Sequence, residues 1–181
     1  MSAGSTNFAR FEALNELSRE CCSKPLPVAE LGKRIADAGR ISQPFTATLI
    51  GSMLAGSSLA VFFGSTIAEG VAAAFFGAVI CLLQSAIGKT RLNTAASNLL
   101  ISFIVGIAAG LFCRMIPGMN ADRVLIGDIM LLIPGIAMTN AVQNILVGNP
   151  LSGSVRIVES LIWAGALAGG TMMAMLLLSM I

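Results

Sequence analysis

The residues best able to do chemistry lie close together in one apolar stretch, "GDIMLLIPGIAMTNAVQN" at residues 127–144. Asp128 comes first, then the Pro134-Gly135 pair, then Thr139, Asn140, Gln143 and Asn144. A carboxyl at Asp128 can hold a substrate amine or carry a proton. Asn140, Gln143 and Asn144 recur at spacings of three and four and so share one helical face, and these amides with the Thr139 hydroxyl can read both ends of a zwitterion. Arg156 and Glu159 follow three residues apart, spaced to form an ion pair or a gate. This is recognition and proton-transfer chemistry. With no histidine in the chain, no nucleophile, base and oxyanion constellation can be assembled, and a catalytic role is not expected. Cys21, Cys22, Cys81 and Cys113 lack the spaced pairs that zinc, iron-sulfur or dithiol chemistry needs, so no metal and no cofactor is expected. Vicinal Cys21 and Cys22 read as reduced thiols, one packed and one exposed.

The elements that must position these residues are membrane helices. The chain has 181 residues, 56% hydrophobic and 11% charged, with a mean hydropathy of +0.87. A soluble domain of this length needs far more polar surface. Eleven Lys and Arg against nine Asp and Glu give a net charge of +2, too balanced and dispersed for a nucleic-acid surface. The first residues, "MSAGSTN", carry no basic segment followed by an apolar one, so insertion is expected to rely on the spans themselves.

The expected fold class is an all-α integral membrane protein, with a cytoplasmic amphipathic segment at residues 1–40 and a transmembrane domain at 41–181. Phe8, Phe11, Leu14, Leu17 and Cys21 fall at helical spacing among charged residues. Leu31 and Ile35 do the same beyond Pro27. Two short helices are predicted there. Five apolar runs then approach the roughly 20 residues needed to cross a hydrocarbon core: about 45–64, 68–87, 94–116, 124–147 and 157–180. Threading them in order puts Lys24, Lys33, Arg34, Arg40, Lys89, Arg91 and Arg156 on one side, and only Arg114 and Arg123 on the other. Retention of positive charge then predicts a cytoplasmic N-terminus in the cell (inner) membrane and places Ile181 outside. Small residues four apart, at Gly51/Ala55, Gly56/Ala60, Gly106/Gly110 and Gly165/Gly169, predict close helix packing.

The fourth span is interrupted. About ten residues lie on either side of Pro134-Gly135, roughly 15 Å of helix each, which sets the break near the midplane. Proline removes an amide donor and glycine permits unusual backbone angles, and lipid cannot satisfy the peptide groups so freed. A binding cavity follows, with Pro134, Gly135, Thr139, Asn140, Gln143 and Asn144 as substrate contacts and Asp128, Arg156 and Glu159 as coupling or gating groups. Spacing leaves alternatives open. Asp128 could pair with Arg123 at the interface, the amides could join helices, and Arg156 with Glu159 could be structural. "GNPLSG", with Gly148, Asn149, Pro150, Ser152 and Gly153, reads as a sharp turn.

On "IGDIMLLIPGIAMTNAVQN", "GNPLSG" and "RIVES", supported by "ALNELSREC", the sequence resembles the threonine/serine exporter family, whose relatives include a two-component succinate exporter. The likeness runs from about residue 11 to the C-terminus. It implies proton-driven export of threonine, serine or related small carboxylates through the lipid bilayer, by a homo-oligomer or with a second small membrane subunit. Where the family commonly has Arg-Asp, this chain has Gln143-Asn144, and its cytoplasmic region looks shortened at the N-terminus. Both departures suit another role, a non-transporting subunit that scaffolds or regulates a partner transporter.

Overall fold

A computed structural model describes residues 8–24, 26–41, 44–88 and 92–180. Lys89, Arg91 and Ile181, used above for orientation, lie outside them. The described residues form eight α-helices and no strand: α1 (Phe8–Ser23), α2 (Val28–Arg40), α3 (Phe45–Phe62), α4 (Ile67–Ile87), α5 (Thr94–Met115), α6 (Ala121–Leu132), α7 (Gly135–Leu146) and α8 (Pro150–Met180). They group into two compact units, the first ending at Thr48 and the second starting at Leu49.

In the first unit α1 and α2 make an antiparallel pair. Leu17 and Ala38 are buried, and Arg34 bridges Glu20 at 2.7 Å and Glu30 at 3.0 Å. The Glu20 charge, followed by the hydrogen bond to Glu30, holds the Arg34 guanidinium above its ordinary pKa. These pairs are about half exposed, so they fix geometry more than they stabilise. Phe11, Val28 and Ile35 remain exposed, as amphipathic helices require.

In the second unit α3, α4, α5 and α8 are each long and apolar enough to cross a membrane. The pair α6 and α7, bent by 48°, supplies a fifth span. Local chemistry sets the turns. Gly64 (φ +88°) and Gly148 (φ +93°) close α3 and α7 in the left-handed conformation that glycine adopts without penalty. The amides of Ser65 and Asn149 bond back to the carbonyls of Ala60 and Asn144. Between α5 and α6, Met119 N–H reaches Ile116 C=O at 3.3 Å, with Pro117 and Gly118 (φ +89°) at the positions a type II turn assigns them. The expected turn at "GNPLSG" is shorter than the sequence suggested. Pro150 already opens α8, well before the expected start near residue 157, because proline suits a first helical turn. Ser152 and Gly153 are therefore helical.

The core gathers where α4, α5, α6 and α8 meet, around Phe76, Ile80, Ile101, Leu125 and Leu167. Hydrocarbon gives no hydrophobic drive between spans, so close backbone approach carries the association. A Cβ on Gly127 would stand 2.6 Å from the Gly56 carbonyl oxygen, and one on Gly77 would stand 2.7 Å from that of Ser52. Among the expected small-residue pairs, Gly56/Ala60 and Gly106/Gly110 lie at helix contacts. Gly51, Gly165 and Gly169 face nothing within 4 Å, and on α8 the close approach falls on Gly170 and Gly153.

Side-chain neighbours also give directions. Gly106 and Gly110 of α5 meet Ala174 and Leu178 of α8 in the same order, so these helices run parallel. The intervening chain must return from one end of the bundle to the other, and α6 with α7 does so.

Candidate functional site

At the break, α6 ends at Leu132 and Pro134 adopts φ −77°, ψ 58°. Gly135 N–H bonds to Ile133 C=O at 2.8 Å, which with those angles is an inverse γ-turn. No side chain caps α7, whose helical bonding starts when Met138 N–H reaches Pro134 C=O at 3.1 Å. Each half has 12 residues, so the break bisects the span.

Asp128 lies on α6 with 1% exposure, and neither of its carboxyl oxygens has a hydrogen-bond partner among the described residues. The alternative of an interfacial pair with Arg123 is not what forms, because Arg123 faces Glu69 instead, at 3.6 Å. The absent side chain of Gly56 makes room for the carboxyl, since a Cβ there would stand 3.3 Å from Asp128 Oδ1. Beside Asp128 is a cavity of about 10 Å³, bounded by Ser102 of α5 and Thr171 of α8 among apolar neighbours including Leu125 and Leu167. This is room for about one water molecule. Ser102 Oγ donates to Leu99 C=O at 3.1 Å, and Thr171 Oγ1 donates to Leu167 C=O at 3.1 Å, so both hydroxyl oxygens keep acceptor capacity. An unpartnered carboxyl in hydrocarbon is costly and normally signals function. Here it shares with Ser102 and Thr171 the wall of a small, mainly apolar space, on the first half of a broken span.

The remaining predicted residues lie apart from this cavity. On α7, Ala141 is fully buried and packs toward Gly153 of α8. Thr139, Asn140 and Gln143 are exposed and Asn144 is half-buried. Thr139 Oγ1 donates to Gly135 C=O at 2.9 Å, tying the hydroxyl to the first turn after the break. Pro134 is half-buried and Gly135 exposed. Arg156 and Glu159 are both exposed on α8, and they do not pair with each other. One buried carboxyl and one outward polar face are thus carried by the two halves of a single span.

Sequence reasoning missed Glu69, which has 1% exposure at the start of α4. Its Oε2 accepts from Thr66 N–H at 2.7 Å and Thr66 Oγ1 at 2.9 Å, and Oε1 accepts from Asn120 N–H at 3.0 Å. Thr66 and Glu69 form a capping box that also grips the start of α6. The signal was present as Thr-x-x-Glu in "STIAE", directly before an apolar run.

An all-helical bundle with four long apolar helices and a bent pair of the same character is the architecture of a multi-pass membrane protein. The model of the threonine/serine exporter family matches residues 2–178, and the chain belongs to that family. It is also 24% identical over 172 residues to a threonine/serine exporter of Corynebacterium glutamicum. That alignment covers 91% of this chain and 35% of the relative, so the chain spans about a third of the relative's length. No solved structure matches.

Proposed function

We propose that this chain is the membrane part of a secondary exporter of threonine, serine or related small carboxylates, coupled to protons through Asp128. The observation that carries this reading is the buried Asp128 carboxyl without a partner beside the Ser102–Thr171 cavity. A carboxyl so placed can alternate between holding and releasing a proton only if the surrounding helices alternate too, and the break at Pro134 gives its own span a joint. In this reading Pro134, Gly135, Thr139, Asn140, Gln143 and Asn144 line the solute's path, and Arg156 and Glu159 gate it. The N-terminus is cytoplasmic in the cell (inner) membrane. Because the α7 amides face out of the chain, a second copy or a second small subunit completes the path.

The same outward polar face favours one other reading, a non-transporting subunit that uses those amides to hold a partner transporter. Liposomes containing the purified chain alone, loaded with labelled threonine and given a pH gradient, separate the two. The exporter reading expects gradient-driven efflux that Asp128→Asn abolishes. Full efflux by Asp128→Asn removes Asp128 from coupling, and absence of flux until a partner is supplied favours the subunit reading.

A further inference from the structure

A second, larger cavity of about 320 Å³ opens at the end of the bundle where α5 stops and α6 starts. Its wall carries Arg114, Asp122, Cys113, Leu125, Met175 and Leu178. The volume lies at the low end for small-ligand sites. Two of these residues carry opposite charges, and no ion pair joins them. Arg114 is instead anchored by a 2.5 Å hydrogen bond from Nη2 to the Leu178 carbonyl, which fixes the guanidinium and leaves its other donors available. Asp122 sits in the first turn of α6. A guanidinium and a carboxylate held in one pocket without pairing complement a molecule carrying both charges. The apolar wall between them suits a short side chain.

Leu125 lines this cavity and also the small one beside Asp128, and it is itself 1% exposed. Asp122, Leu125 and Ile129 recur at three and four residues, so one face of α6 serves both spaces.

We propose that the Arg114–Asp122 cavity is a vestibule that binds a small α-amino acid as its zwitterion, carboxylate on Arg114 and ammonium on Asp122, and that shares Leu125 with the Asp128 cavity. The proposal rests on the exporter reading for the solute's identity and for the vestibule's place outside the membrane. Binding itself requires no flux.

The test is equilibrium binding of labelled threonine to the purified full chain in nanodiscs, with threonine amide, N-acetylthreonine and succinate as competitors. Threonine should compete, whereas the amide lacks the carboxylate, the acetyl derivative and succinate lack the ammonium, and all three should compete only weakly. Loss of one charge-assisted contact should weaken threonine binding by roughly ten-fold or more in Arg114→Gln and in Asp122→Asn. Arg114→Gln should leave the weak binding of threonine amide unchanged, a result that a merely misfolded variant would not give. Asp122→Asn, at an exposed position, tests the ammonium contact without disturbing the Leu178 anchor. Threonine binding within two-fold of wild type in both variants, or no threonine binding by wild type, overturns the vestibule. If the wild-type chain does carry flux, flux unaltered by either variant would overturn it and leave the exporter reading standing. Binding lost in the variants of a chain that carries no flux would support the vestibule and count against the exporter reading.

Discussion

Asp128 and Glu69 are both carboxyls almost removed from solvent, and their surroundings assign them opposite roles. Glu69 accepts from Thr66 and Asn120 and faces Arg123, so its charge is held by a satisfied network at the end of the bundle. Asp128 accepts from nothing among the described residues. A satisfied buried carboxylate stabilises, whereas an unsatisfied one costs stability and persists where function needs it. Glu69→Gln should therefore lower the melting temperature of the purified protein, because it removes the charge that Arg123 faces and weakens the grip on the start of α6. Asp128→Asn should melt at or above the wild-type temperature while losing gradient-driven efflux. A fall in melting temperature for Asp128→Asn, equal to that of Glu69→Gln, would show that the carboxyl holds the bundle together and does not serve transport.

The α6–α7 break is the device at the level of elements. Pro134 cannot donate to the carbonyl four residues back, and its inverse γ-turn angles carry the chain out of helical register. Pro134→Ala restores that donor and should straighten the 48° bend. Spin labels at exposed Ile126 and Val142 would then separate toward the roughly 24 Å that sixteen residues of straight helix span. An unchanged distance would mean that packing against α8, and not the proline, sets the bend. The break and the five spans were legible because apolar run length and Pro-Gly chemistry are local properties. Helix contacts were legible only in part. Four-residue spacing of small residues found Gly56 and Gly106 but also Gly51 and Gly165, which touch nothing, since spacing says that a face is smooth and not which neighbour meets it. Gly127 and Gly77 lie outside the pairs expected to pack, yet each comes close to the backbone of α3. The candidate site divides the same way. Asp128 stood out as a charge in an apolar run, while its neighbours Ser102 and Thr171 come from other spans and carry no mark in the sequence. Arg114 entered only the count of positive charges at span ends, and Asp122 carried no mark in the sequence.

For the whole molecule, the parallel course of α5 and α8 has a topological consequence. Gly106 opposite Ala174 and Gly110 opposite Leu178 fix a common direction, and Arg114 bonded to the Leu178 carbonyl puts both helix ends at one end of the bundle. The chain leaves α5 at that end and must enter α8 at the other, so the bent pair is a full crossing and not a loop that dips in and returns. Met115, at the last turn of α5, and Asn149, just before α8, are both exposed and belong on opposite faces of the membrane. With Cys21, Cys22, Cys81 and Cys113 replaced, single cysteines at Met115→Cys and Asn149→Cys can be challenged in intact cells with a membrane-impermeant maleimide. Met115→Cys should react from outside, and Asn149→Cys only after the membrane is permeabilised. The reverse pattern would invert the orientation inferred from positive charge while keeping the crossing. Labelling of both from one side would mean that α6 and α7 re-emerge where they entered, which the parallel packing of α5 on α8 does not allow.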